Sequence, residues 1–350
     1  MPSQPAPAAQ PETPPATPDT HPIPPYSAAM EAAWRTEFAR ETEKRYGIPA
    51  AQIEAVLAQA QMRDAIVKAM SRPAEAKPWR DYRPIFIQPK RTDDGRAFLA
   101  RHRDALARAE RQYGVPAEII VSILGVETSY GGNKGSWSVV DALYTLAIAY
   151  PRTGDPAKVE REIRRQAFFR DELAQLFVLG KETGLDISTL KGSYAGAMGW
   201  GQFMPSSYRD YAVDGNGDGK RDLFNDLDDV FASVANYFAR KGSWQRGGPV
   251  MQRAVREATA ADFVNPGNSV TLDQTLATLA KAGYRPAVAP AAAAASQPVT
   301  LITLEGTAGP EYWIVYNNFK AITTYNISRL YATAVYQLSR AIAGQEPEAP

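Results

Sequence analysis

The hydrophobic positions recur mostly with a helical period. Met30, Trp34 and Phe38 stand at i, i+4 and i+8 behind Ser27, which can cap a helix that Gly47 can end. Pro49 then opens a second helix carrying Ile53, Val56 and Leu57. The run Tyr46-Gly47-Ile48-Pro49-Ala50 returns as Tyr113-Gly114-Val115-Pro116-Ala117, each copy ending one helix and starting the next. From about 101 to 245 the pattern stays helical with glycine-rich turns, and Leu272, Leu276 and Leu279 predict a short helix before Gly283. Residues 299–304 and 312–316 are β-rich around a glycine-containing turn and predict a hairpin. Asn326 or Ser328 can cap a last helix bearing Leu330, Ala334, Leu338 and Ile342.

These patterns divide the chain as follows. Residues 1–26 are Pro, Ala, Thr and Gln and read as a disordered tail. A helical region at 27–100 precedes a core at 101–265, a short helical region at 266–285, an Ala/Pro linker or insertion at 286–298, and a hairpin with a C-terminal helix at 299–345.

Composition removes whole chemistries. There is no cysteine, so thiol catalysis, disulfides and thiolate metal sites are excluded. The two histidines are His21, in the tail, and His102, which argues against both a Ser-His-Asp triad and a multi-His metal site. A net charge of +1 offers no field for nucleic acid or anionic lipid. No stretch reaches the ~20 apolar residues of a membrane span, so the chain as given reads as soluble, and Met1 can stand in place of a native export signal or lipid anchor. Any catalysis falls to carboxylates.

Residues 116–132 are apolar on nearly every face, as in a buried central helix, and hold two glutamates. Glu118 lies in the first turn, where the helix dipole favours negative charge, and reads as structural. Glu127 lies at the other end, before Gly131 can stop the helix; dipole and apolar neighbours both disfavour its ionisation. That environment suits a general acid holding its proton near neutral pH, and equally a structural role such as pairing with an arginine.

Residues 191–208 mix glycines and aromatics with neutral hydrogen-bonding groups. Rings stack on sugar faces, and Gln202 and Ser193 can bond hydroxyl or acetamido groups; equally, Gly196 and Gly199 can serve only close helix packing. Residues 214–225 read as an EF-hand-like calcium loop. Asp214, Asn216, Asp218 and Asp222 take positions 1, 3, 5 and 9, Gly219 position 6, and Lys220 offers its carbonyl at 7. Asn225 replaces the usual glutamate at position 12, so Asp226, Asp228 or Asp229 must close the loop.

Taken together, residues 125–131 (Gly-Val-Glu-Thr-Ser-Tyr-Gly), 193–208 and 233–238, with Asn318-Phe319 and 324–328, resemble the membrane-bound lytic murein transglycosylase B family, glycoside hydrolase family 103. The resemblance implies a mainly α (α+β) protein: a lysozyme-like helical core, a flanking helical domain and a small β-containing domain. It implies that Glu127 is the catalytic acid/base, that Ser193, Gln202, Tyr237 and Tyr325 bind sugar, and that Tyr194, Asn236, Asn318 and Asn326 assist. A structural calcium would use Asp214, Asn216, Asp218, Lys220 and, by register, Asp229, with Asp228 the other choice. No catalytic cofactor is implied. The implied substrate is peptidoglycan glycan strands, cut between N-acetylmuramic acid and N-acetylglucosamine with 1,6-anhydromuramyl ends, by a periplasmic monomer, either free or outer-membrane-anchored in its native precursor, with unidentified assembly partners. Two other readings are a hydrolytic muramidase and a calcium-dependent glycan-binding protein without turnover.

Overall fold

The computed structural model describes residues 27–71, 77–267 and 269–345; the 1–26 tail lies outside them. They are mostly helix, with strands confined to two small antiparallel sheets. Two compact units are present, one within Met1–Glu75 and Gly131–Asp210, the other within Ala76–Tyr130 and Tyr211–Pro350.

In the first unit, the helix Ala28–Tyr46 starts where Ser27 Oγ accepts the Met30 N–H and stops at left-handed Gly47. Its apolar stripe stacks Trp34 on Phe38 (5.0 Å), and Phe38 meets Phe177 of the helix Val159–Thr183. The helix Val139–Ala149 is buried throughout. Its one charge, Asp141, accepts hydrogen bonds from Gln61 N and Arg63 Nε (both 3.0 Å), which satisfies a carboxylate that burial would otherwise penalise. A two-residue ladder, Trp137–Ser138 against Lys191–Gly192, ties down the glycine-rich segment.

The second unit is built around the helix Ala117–Thr128, buried from Ile119 to Thr128. The helices Pro89–Arg101, Arg103–Tyr113, Leu227–Arg240 and Arg329–Ile342 surround it. Each large aliphatic side chain so buried contributes roughly 1.5–3 kcal/mol, an upper figure for a compact denatured chain. The Pro49 and Pro116 positions fall at the residue before their helices, not inside them.

The same unit carries a four-stranded sheet in the order Tyr284–Pro286, Met251–Arg256, Gly309–Val315, Thr300–Gly306. The last two form a hairpin with Thr300 opposite Val315 and Gly306 opposite Gly309. The helix predicted from Leu272 starts only at Leu276, because Thr275 forms a capping box with Thr278. Within the Ala/Pro run, Ala292–Ala295 forms one helical turn and Ala294 joins the buried cluster of Leu279, Tyr284, Val299 and Ile314. The hairpin's outer strand is shielded by Asn265, whose side chain accepts from Thr303 N (3.0 Å) and donates to Thr303 O (2.7 Å) as a neighbouring strand would. Asn265→Ala should therefore lower the stability of this unit by about 1–3 kcal/mol, read as an earlier denaturant midpoint.

Candidate active site

Glu127 is 8% exposed, one residue from the C-terminal end of its helix. Burial pushes its carboxyl up to about 7, and the hydrogen bond that Tyr331 Oη donates to Oε1 (2.5 Å) pulls the other way. One hydrogen bond to a charged group contributes about 1.5–3 kcal/mol, less than full desolvation of a carboxylate costs, so burial prevails.

Tyrosines line this carboxyl. Tyr82, Tyr325 and Tyr331 all have phenols held above their ordinary range, first by burial and then by the nearby Glu127 charge. Tyr325 makes an edge contact with Tyr237 (4.9 Å), and the Tyr237 hydroxyl donates to Thr324 O (2.6 Å). The structure thus brings the predicted Tyr237 and Tyr325 into one cluster with Glu127. Sequence reasoning missed Tyr82 and Tyr331. A signal existed for Tyr331: it follows Leu330 on a helix read as buried, and a buried phenol needs a partner.

The Glu127 helix stops earlier than Gly131. Ser129 (φ 49°), Tyr130 (φ 57°) and Gly131 (φ 84°) are left-handed in succession, so the helix ends at Thr128. Each non-glycine residue so held costs on the order of 1 kcal/mol or more.

Ser193, Tyr194 and Gln202 belong to the first unit. Ser193 Oγ accepts from Ala195 N and Ala197 N (3.2 and 3.1 Å), which leaves its O–H as a donor. Gln202 (φ 52°) uses Nε2 on Lys134 O and Gly199 O, so its Oε1 remains to accept. Tyr194 is half-buried. Trp200 packs face-on where a side chain at Gly131 would lie, with Lys134 Nζ 5.3 Å from its ring. In the second unit, Asn236 Nδ2 donates to Tyr211 O (2.8 Å) and Asn326 is half-buried. Asn318 is 1% exposed, and its amide accepts from Gln245 N and donates to Gln245 O and Gly248 O, which braces a turn and occupies both of its N–H donors.

The 214–229 loop closes on itself. Asp214 accepts the N–H groups of Gly217, Asp218 and Gly219, which hold its carboxyl below the ordinary range; Asn216 and Asp218 accept from Asp218 N and Lys220 N. Of the three candidate closing residues, Asp226 caps the following helix, Asp228 pairs with Arg108, and fully buried Asp229 reaches into the loop to accept from Gly215 N (2.7 Å) and Asp222 N (2.6 Å). Burial, then the charges of Asp226 and Asp214, push the Asp229 carboxyl up. Among the described residues, no three His, Cys, Asp or Glu side chains converge as a finished metal cage; this loop's donor set is the carboxylates of Asp214, Asp218 and Asp229, the Asn216 amide oxygen and the Lys220 carbonyl, with Asp229 a buried anion. A cation there would compensate that anion.

The transglycosylase SLT domain family model matches residues 30–340. The membrane-bound lytic murein transglycosylase B of Escherichia coli is 37% identical over 88% of this chain and 82% of its own. Among solved structures, the catenated lytic transglycosylase SltB1 of Pseudomonas aeruginosa is 42% identical with a TM-score of 0.78, covering 89% of this chain and 97% of that one. The E. coli lytic transglycosylase SLT35 in complex with calcium is 36% identical (TM-score 0.76; 89% and 92% covered). SltB3 of P. aeruginosa in complex with NAG-anhNAM-pentapeptide is 30% identical (TM-score 0.76; 90% and 80% covered).

The raised Glu127 carboxyl has a consequence for stability. The folded protein keeps that proton to about 7 while the unfolded chain releases it near 4.5, so stability falls as pH rises through that window, by about 3 kcal/mol in all. Glu127→Gln escapes this loss. Melting curves should show the variant gaining on the wild type between pH 4 and pH 8.

Proposed function

The chain belongs to the transglycosylase SLT domain family, and we propose that its peptidoglycan-cleaving reaction is carried by Glu127 as the single acid and base. It is a lytic transglycosylase with a mainly α, lysozyme-like fold. The observation that carries the assignment is a buried carboxyl poised at about 7 with one oxygen held by Tyr331.

Protonated Glu127 gives its proton to the glycosidic oxygen between N-acetylmuramic acid and N-acetylglucosamine. The C1–O bond breaks, and the muramyl acetamido oxygen shares the positive charge that develops at C1. The carboxylate left behind, steadied by the Tyr331 hydroxyl, takes the proton of the muramyl C6 hydroxyl. O6 then bonds C1 and closes the 1,6-anhydro ring, which returns Glu127 to its starting state. A group near 7 gives and accepts a proton with comparable ease at neutral pH. Ser193, Gln202, Tyr237 and Tyr325 supply sugar contacts, with Tyr194, Asn236 and Asn326 secondary. The anhydro sugar named in the SltB3 complex favours this course over hydrolysis.

A structural calcium would be held by Asp214, Asn216, Asp218, the Lys220 carbonyl and Asp229, where it would offset the buried Asp229 charge. SLT35 in complex with calcium supports this. We read the enzyme as periplasmic, where its substrate lies, and as a monomer. No helix of the described residues is long and apolar enough to cross a membrane, and outer-membrane anchoring of a native precursor is the reading that the E. coli relative's membrane-bound name supports.

Mass spectrometry of products from purified peptidoglycan should find anhydromuramyl ends with the wild type and none with Glu127→Gln, and wild-type turnover should decline above about pH 7 as the acid form is lost; reducing ends instead would make the enzyme a hydrolase. Calcium at a hundredfold excess over its Kd should stabilise the wild type by about 3 kcal/mol, and Asp229→Asn should abolish the shift in melting temperature.

A further inference from the structure

The left-handed exit after Thr128 throws the Tyr130 side chain back against its own helix. A Cβ at Gly125 would lie 2.6 Å from the Tyr130 oxygen, and one at Gly95 of the helix Pro89–Arg101 would collide with the same atom. Glycine is a poor helix former, and this ring accounts for two of them in helix interiors. Phe98 stacks on the Tyr130 ring at 5.6 Å, and the hydroxyl donates to Arg91 O (2.9 Å).

Arg91 carries the contact further. Its guanidinium donates to Ser129 Oγ (3.3 Å) and to Ile85 O (2.8 Å), and lies 5.4 Å from the centre of the Phe86 ring. Phe86 packs on Tyr82 (5.1 Å), a member of the tyrosine lining of Glu127. Both strained residues after the helix therefore hang on one arginine, and that arginine also braces the wall beside the carboxyl.

We propose that Tyr130, Ser129 and Arg91 form a clamp that sets the depth and direction of the Glu127 carboxyl, with Tyr130 the positioning residue at its centre. Strained backbone persists only where its surroundings over-determine it. Without the clamp the last turn of the helix relaxes, water reaches Glu127, and the carboxyl loses both its aim and the burial that keeps it protonated. The inference rests on Glu127 being the acid/base.

The test is steady-state kinetics across pH on Tyr130→Ala, Tyr130→Phe, Ser129→Gly and Glu127→Gln, with melting temperatures alongside. Tyr130→Ala should lower kcat about a hundredfold, as misplacement by about an ångström does, with KM little changed and the alkaline limb moved to lower pH. Tyr130→Phe keeps the ring and should lose only about fivefold, the worth of one hydrogen bond. Ser129→Gly suits the left-handed backbone and should keep or raise the melting temperature, yet still lower kcat because the Arg91 contact is gone. A Ser129→Gly enzyme with full kcat, or a folded Tyr130→Ala enzyme with an unmoved alkaline limb, overturns the clamp. Activity retained by Glu127→Gln would instead overturn the assignment on which it rests.

Discussion

A carboxyl deprived of water at the negative end of a helix is the constraint on which this site depends. Ionising Glu127 means placing charge where burial and the helix dipole both oppose it, and among the described residues the Tyr331 hydroxyl offsets part of that cost. A second donor would lower the carboxyl toward its ordinary range and leave too little acid at neutral pH. Removing Tyr331 would leave the anion unsupported when the group must act as a base. One hydrogen bond is the compromise that serves both halves of the cycle.

Keeping that carboxyl dry dictates much of the surrounding sequence. The helix that carries it is buried from Ile119 to Thr128 and needs apolar residues on every side. The lining is tyrosine, which combines apolar area with a hydroxyl able to find a backbone or carboxylate partner. The fold offsets two liabilities here, a proton-dependent loss of stability and a strained chain exit, through packing elsewhere in the same unit. Sites that need a perturbed group commonly carry such costs.

The sequence was legible where local chemistry decides the outcome. Ser27 and Ser328 cap their helices through their own hydroxyls, and the left-handed stops at Gly47 and Gly114 follow from glycine. The all-round apolar character of 117–128 was enough to bury Glu127 and so to infer that its carboxyl holds its proton to higher pH. What stayed hidden depends on residues distant in the chain. Tyr331 is 204 positions from Glu127, and nothing local says that their side chains meet. Gly131 looked like the helix stop because glycine favours left-handed backbone, but contacts from Arg91 hold Ser129 and Tyr130 in that region first. The motif marks Asn318 as a sugar ligand, while the backbone that its amide bonds lies about seventy residues upstream.

The same constraint bears on why the ring closes instead of water adding. A hydrolase of ordinary design sets a second carboxylate to activate water across the ring from the acid; here, among the described residues, burial and the Tyr331 hydrogen bond set the ionisation of Glu127, and the proposed cycle uses that one carboxyl as both acid and base. With one base in a dry environment, the favoured nucleophile is an oxygen already attached to the substrate. Intramolecular attack by a well-placed hydroxyl enjoys an effective concentration of about 10⁵ M or more, far above that of bulk water. The site need not exclude every water molecule to be lytic. It needs only to hold the muramyl C6 hydroxyl against the carboxylate that has just lost its proton, which makes the aim of Glu127 as consequential as its acidity.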